Sequence, residues 1–386
     1  MLKKEEIIKM KVVPVLDKKS EKAFLDFPVH LYKNNPKWIK PLDEDIRKVF
    51  SAKDNSAFQS GNAARWILKK GENTIGRIAA FYNQQEKITS DIPAGGMGFF
   101  ECINSEKAAE LLLMTAEEWL AGNGFEAIEG PINFGSKDKW WGLLIDGFDI
   151  APCYCNNYNP PYYQDLLINH GFSIIYRQLI FKWDLNTHLP PDAKMEAVRV
   201  LHDPEYEVRQ IDTNELESFA FDLQTVFNES KLTKKHHRYL DFDTALMILE
   251  SLKPIMQKEL IHFAYFQGRP VAYLIVLPEL NQIIKHLDGK FNQINKIKCK
   301  YHQWKGSCRK LYGSSIGIDT NFKGLGIEAA LMHSFSEAAQ DLEKWDEMEM
   351  TWIGDFNQEM VQTVKSIGGK HIKTHATFKK IIPTEF

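Results

Sequence analysis

At 386 residues the chain has length for two to three domains, and 44% apolar with 26% charged residues is the composition of a globular protein with ample core material. Forty-eight basic against fifty-one acidic residues leave a formal charge of −3, which argues against a general electrostatic footprint for nucleic acid. No apolar run approaches the ~20 residues that cross a bilayer, no secretory leader is recognisable, and the five cysteines are scattered without metal-ligand spacing, so a reduced, cytoplasmic protein with no metal and no membrane partner is expected.

In chain order, a short strand is predicted over 12–15, helices over 20–34 and 42–49, and a hairpin over 64–83 turning at Lys70-Gly71-Glu72-Asn73. A strand at 98–103 follows, then an amphipathic helix at 106–121 with Leu112, Ala116, Trp119 and Leu120 on one side. Strand 125–129, helix 162–169 and a closing strand pair over 173–183 complete the first half. Prolines at 190, 191 and 204 mark residues 185–205 as a linker region between domains at 1–184 and 206–386. The second half repeats the plan: strand 206–211, helices 215–228 and 243–257, a hairpin turning at Gln267-Gly268, strand 311–318, helix 327–340, then 347–353, 358–367 and 371–379. The fold class expected is α/β, a mixed sheet covered on both faces, built twice by duplication.

The halves differ in their insertions. The first carries an aromatic-rich segment over 130–163, with Trp140, Trp141, Tyr162 and Tyr163. The second carries residues 281–310, including the basic run KIKCKYHQWKGSCRK. Segments of this length without strong periodicity are functional or disordered more often than structural, and the aromatics of the first argue against disorder.

The element order and the stretch IDTNFKGLGIEAALM (residues 318–332) resemble the GNAT acyltransferases, here as a tandem pair. The whole chain is similar to a bacterial family of GNAT-like proteins of this length, through Gly76-Arg77-Ile78-Ala79-Ala80, Gly98-Phe99-Phe100-Glu101, Gly130-Pro131, Gly142-Leu143-Leu144, Asp146-Gly147-Phe148, Asn159-Pro160-Pro161-Tyr162-Tyr163 and Gly171-Phe172. The resemblance implies acetyl-CoA or another acyl-CoA, its pyrophosphate cradled by backbone N–H groups where a glycine loop opens a helix. Ile318, Phe322, Lys323, Gly324, Leu325, Gly326 and Ile327 are the residues so placed, with Asn357 on the following helix. Two registers fit the glycine pattern, one starting at Asn321 and one at Lys323; the second lets the helix start at Ile327 but puts Glu328 where glycine or alanine is expected. The equivalent turn of the first half, Cys102 to Lys107, has no glycine, which concentrates the expected cofactor site in the second half.

Acyl transfer to an amine calls for a base and an acid. The family's acid, a tyrosine seven residues after the asparagine, falls here on Val364. Substitutes are Asp319, Glu349, Asp288 or His286 as base and Tyr312 or Tyr273 as acid, each with a structural alternative. The cations of 296–310 suit a CoA phosphate, an anionic partner or plain solvation. The aromatic insertion either lines an acceptor cleft or covers a bare sheet face. The functions in view are an acyl-CoA-dependent N-acyltransferase acting on a small-molecule or peptide amine, a Fem-like aminoacyl transferase drawing on tRNA, and a binding or sensor protein whose catalysis has decayed.

Overall fold

A computed structural model describes residues 9–230 and 239–383. The first half builds β1 (Met10–Pro14), α1 (Lys18–Leu31), α2 (Asp43–Val49), β2 (Gly61–Lys70), β3 (Asn73–Asn83), α3 (Glu86–Thr89), β4 (Ala94–Cys102), α4 (Glu106–Gly122), β5 (Ala127–Gly130), β6 (Leu143–Asp146), α5 (Tyr163–Asn169) and β7 (Ser173–Asp184). After α6 (Pro191–His202) the second half builds β8 (Tyr206–Gln210), α7 (Leu216–Glu229), α8 (Phe242–Leu252), β9 (Ile261–Phe266), β10 (Arg269–Pro278), α9 (Asn281–Ile284) and α10 (Gln293–Trp304). It ends with β11 (Lys310–Ile318), α11 (Ile327–Asp341), β12 (Glu347–Met350), β13 (Ile353–Gly354), α12 (Gln358–Ser366) and β14 (Lys370–Ile381).

Local chemistry explains these boundaries. Asp17 and Ser20 close a reciprocal capping box on α1, and Ser105 caps α4 through the Ala108 N–H. The β9–β10 hairpin turns at Gln267 and Gly268, both with positive φ (50° and 77°), the geometry whose twist matches paired strands.

The chain divides into two compact units that are not contiguous in sequence. Unit 1 takes residues up to Gln178, then Ile284–Lys300, then the chain from Lys373 on; unit 2 takes Leu179–Ile283 and Tyr301–Ile372. In unit 1 the strands run β1-β2-β3-β4-β5-β14, antiparallel throughout except the parallel pair β4/β5. In unit 2 they run β8-β9-β10-β11-β12-β7, with β11/β12 parallel. Each unit therefore takes its sixth strand from the other half of the sequence. Ala376 and Phe378 of β14 are fully buried in the unit 1 core with Leu112, Leu120 and Ile128. On the other face of that sheet, Phe24, Leu25 and Ile46 of α1 and α2 pack with Ile67, Ala79 and Phe81. In unit 2, Phe219, Leu223 and Leu249 of α7 and α8 pack on Phe263, Tyr273 and Ile275.

Four local expectations need correction. The proline-marked stretch expected as linker holds α6, with Pro191 at its first turn, where the missing N–H costs nothing. Residues 173–184 are one strand, not a pair. The aromatic insertion contains strand β6, and the insertion of the second half is helical in α9 and α10.

Both units share one irregularity. The β4/β5 pairing covers Ala94–Gly96, and just beyond it Phe99 and Phe100 together face Ile78 of β3, a bulge with Phe99 at φ 50°. The β11/β12 pairing covers Lys310–Gly313, and Ser314 is the extra residue immediately after it. In each unit the parallel strands thus part next to a bulge, opening a cleft in the sheet.

Candidate active site

At the unit 2 cleft, the strand-to-helix turn carries the glycine loop. Ile318 and Ile327 are buried anchors on either side. Asp319 is fully buried, paired with Arg269 at 3.0 Å, and accepts the Asn321 N–H at 2.9 Å. Phe322 packs on Phe266 with the rings tilted, centroids 5.3 Å apart, and Lys323 reaches Glu359 at 3.7 Å. Gly324 and Gly326 both have positive φ (70° and 86°), Gly326 as the residue that caps α11. A Cβ on Gly326 would lie 2.9 Å from a Glu196 carboxylate oxygen, so α6 packs directly onto the loop. Arg199 of α6 donates to the half-exposed Leu325 carbonyl at 2.6 Å and to Glu196 at 2.8 Å.

One N–H group of the loop is already taken. Glu328, buried in the first turn of α11, accepts the Gly324 N–H at 3.1 Å. The adjoining concavity, about 330 Å³, is lined by three carboxylates, Asp192, Glu196 and Glu328. Arg199 offsets the charge of Glu196, but Asp192 and Glu328 still oppose an anion and Glu328 occupies the loop, so this loop does not fit an acyl-CoA pyrophosphate. The matching turn of unit 1 does not fit one either: Ser105 caps the helix, and the Tyr162 and Tyr163 hydroxyls close on the Cys102 backbone at 2.8 and 2.9 Å. Asn357 caps α12 through the Met360 N–H, and Val364 on that helix is core.

The candidate bases and acids do not converge. Glu349 is buried against the Lys310 ammonium, with Tyr312 opposite it in the β11/β12 register. Asp319 lies about 20 Å further along the same strand direction. Asp288 is exposed in a positive-φ turn of unit 1, as is the neighbouring His286. Tyr273 is core, its hydroxyl 3.1 Å from Ser315.

The unit 1 cleft gathers more chemistry. Arg77 and Glu101 face each other across β3/β4 next to the bulge, both buried, with Nε donating to the carboxylate at 2.7 Å. Arg77 also donates to the Phe24 carbonyl at 2.8 Å and lies over the Phe24 ring. Burial pushes the Glu101 carboxyl above the usual carboxylate range, while the Arg77 charge and a hydrogen bond from Tyr32 pull it back. Tyr32, buried and held well above its ordinary pKa by desolvation and the Glu101 charge, keeps its single proton, which is shared between Glu101 and the Tyr158 carbonyl 3.1 Å away. A small cavity of about 60 Å³ adjoins Glu101, lined among others by Trp38, Asn157, Tyr158 and Asn159. At about 30 Å³ per water this holds one or two waters amid polar groups.

Of the aromatic insertion, Trp140 lines this cavity and packs on Phe99 at the bulge (5.5 Å). Trp141 instead donates to the Tyr176 hydroxyl, while Tyr162 and Tyr163 clasp the end of β4. Trp38 and Ile39 also line a groove of about 1050 Å³ in the same unit. Its lining is mostly charged, from Lys18, Lys22, Asp26, Lys40, Arg47 and Lys290 among others, with an apolar strip formed by Leu25, Val29, Trp38, Ile39 and Ile284. Sequence reasoning met Arg77 and Glu101 only as parts of two motifs; that β3 and β4 pair antiparallel was the missing signal.

No protein-family model matches the sequence. Across 381 residues the chain is 24% identical to a protein named bacterial ceramide synthase from Caulobacter vibrioides (strain NA1000 / CB15N), covering 97% of this chain and 98% of that one. It is 25% identical over 378 residues to protein YghO of Escherichia coli (strain K12), covering 95% and 94%. Among solved structures, a tandem GNAT protein from the clavulanic acid biosynthesis pathway superposes with a TM-score of 0.57 at 10% identity, over 97% of this chain and 99% of that one. A GCN5-related N-acetyltransferase from Sphaerobacter thermophilus superposes with a TM-score of 0.52 at 11% identity, over 97% and 96%. The two matching strand orders with their paired clefts and these full-length superpositions together give the chain a tandem GNAT fold.

Proposed function

We propose that the chain is an N-acyltransferase that moves an acyl group from a thioester to the amine of a long-chain amino alcohol, with the reaction centre in the unit 1 cleft. The observation that carries this reading is the buried Glu101 carboxylate, held by Arg77 and Tyr32 where β4 and β5 part. Two further findings support it: the full-length likeness to a protein named bacterial ceramide synthase, a ceramide being the amide of such an amine, and the apolar strip of Leu25, Val29, Trp38, Ile39 and Ile284 in an otherwise charged groove that shares Trp38 and Ile39 with the Glu101 cavity.

In this reading the neutral amine attacks the carbonyl carbon, a C–N bond forms and the C–S bond breaks, its electron pair leaving on sulfur. The amine proton passes through a water in the cavity to Glu101, within the single-water reach of a general base. The leaving thiol is acidic enough, near pKa ~8.5, that a dedicated acid is dispensable. Because neither strand-to-helix turn fits a pyrophosphate, no step is assigned to the carrier portion of the donor.

The acceptor class is tested by varying its chain length at a fixed acyl thioester. Each methylene buried against Leu25, Val29 and Ile39 should raise kcat/KM about fourfold until the groove is filled, from ~0.8 kcal/mol per CH₂. Equal rates on short and long amines would sink the long-chain reading and return the acceptor to a small molecule or peptide.

A further inference from the structure

α10 wears its amphipathic pattern inside out. Its inward face is polar: Asn295 is buried and donates to the Leu287 and Lys290 carbonyls at 2.8 and 2.9 Å. Its outward face carries Ile294 (68% exposed), Ile297 (71%), Tyr301 (52%) and Trp304 (84%). At 100° per residue these four fall within an arc of about 80°. A surface helix of a globular protein normally buries that stripe. Lysines border it on both sides, Lys298 along one edge and Lys296 and Lys300 along the other, with Lys290 and Lys305 bracketing the ends and Phe291, half-exposed, just ahead of the helix. From Gly289 to Lys310 the sequence has no acidic residue.

We infer that α10 is a membrane-surface anchor that lays its isoleucines, tyrosine and tryptophan into the headgroup boundary of a bilayer rich in anionic lipid. The two halves of the pattern point to one occupant. An exposed apolar stripe ending in tyrosine and tryptophan suits the interface, and bordering lysines suit anionic headgroups. A second copy of the chain is a poor match, because a symmetric pairing of this stripe would oppose lysines to lysines. No described helix is long and apolar enough to cross a membrane, so the association is at the surface.

The test is co-sedimentation of the full-length protein with phosphatidylglycerol-containing vesicles and with pure phosphatidylcholine vesicles. Binding is expected to the first and not the second, with added salt weakening it. Ile297→Ser/Trp304→Ser should lower partitioning by about tenfold or more without changing the circular dichroism spectrum, since both side chains are exposed. Lys296→Gln/Lys298→Gln/Lys300→Gln should lower it by about fivefold per lysine and serves as the independent arm if the double variant misfolds. Equal binding to neutral vesicles, unchanged binding by the variants, or a dimer in solution that the double variant dissociates would each overturn the inference. The readout needs no catalysis, so it stands or falls separately from the acyl-transfer reading.

Discussion

Removing Glu101 from water raises its affinity for a proton, while Arg77 at 2.7 Å and the Tyr32 hydroxyl act in the opposite direction. A base of this kind works only when ionised, so activity should fall as pH drops through a value above the ordinary carboxylate range. Glu101→Gln keeps the shape and an oxygen for Arg77 but cannot take the proton. We expect kcat to fall by about 10²–10⁴ with little change in KM, and the acid limb of the pH–rate profile to disappear. An unchanged kcat would remove Glu101 from the chemistry. His262 gives a separate pH effect, on stability. It is buried on β9, and desolvation lowers its pKa from 6.5 to about 4. The proton therefore binds the unfolded chain preferentially. Its contribution is complete above pH 6.5 and is lost as pH falls towards 4, reaching about 3 kcal/mol in full and about 2 kcal/mol at about pH 5. Urea titrations near pH 7 and pH 5 should show His262→Leu losing about 2 kcal/mol less than the unaltered chain; equal losses would contradict the assignment. Neither Glu101 nor His262 stands out in the sequence, because burial, not residue type, confers these properties. Glu328 was legible, being an acid in a glycine pattern, but its hydrogen bond to Gly324 N–H was not.

At the scale of elements, periodicity and turn chemistry revealed most of the strands and helices, including both hairpins with Gly71 and Gly268 at their turns. α6 was hidden because prolines 190, 191 and 204 were read as linker signals, although Ala193, Ala197 and Val200 already spell a buried stripe. The exchanged closing strands were not legible for a different reason. β7 and β14 occupy the same place in two copies of one plan, and nothing local says whose sheet each joins. The structure ties β14 into unit 1 by Lys380 to Glu117 and Lys379 to Glu129 (2.8 and 2.9 Å) and by Phe378 in the core. Phe378→Ala should therefore cost about 3–5 kcal/mol and loosen unit 1 although it lies near the C-terminus. Hydrogen exchange resolved by peptide is the check: faster exchange in β4 and α4 is expected. Faster exchange confined to unit 2 peptides would contradict the exchange of strands.

For the whole molecule, duplication has left two clefts with the same bulge and different fates. In unit 2 the glycine loop survives, but Glu328 fills it and α6 covers it with Glu196 and Arg199. In unit 1 the loop is gone, yet the cleft holds a buried carboxylate, a water-sized cavity and an adjoining groove with an apolar strip among charged residues. This difference explains why the sequence drew attention to the second half, where the glycines are, while the proposed reaction centre lies in the first. The most direct test is mass spectrometric detection of amide after incubating the full-length protein with a long-chain acyl thioester and a long-chain amino alcohol. The unaltered protein should form the amide with stoichiometric release of thiol, and Glu101→Gln should not. Absence of amide from the unaltered protein, or equal amounts from the variant, would contradict a unit 1 acyltransferase.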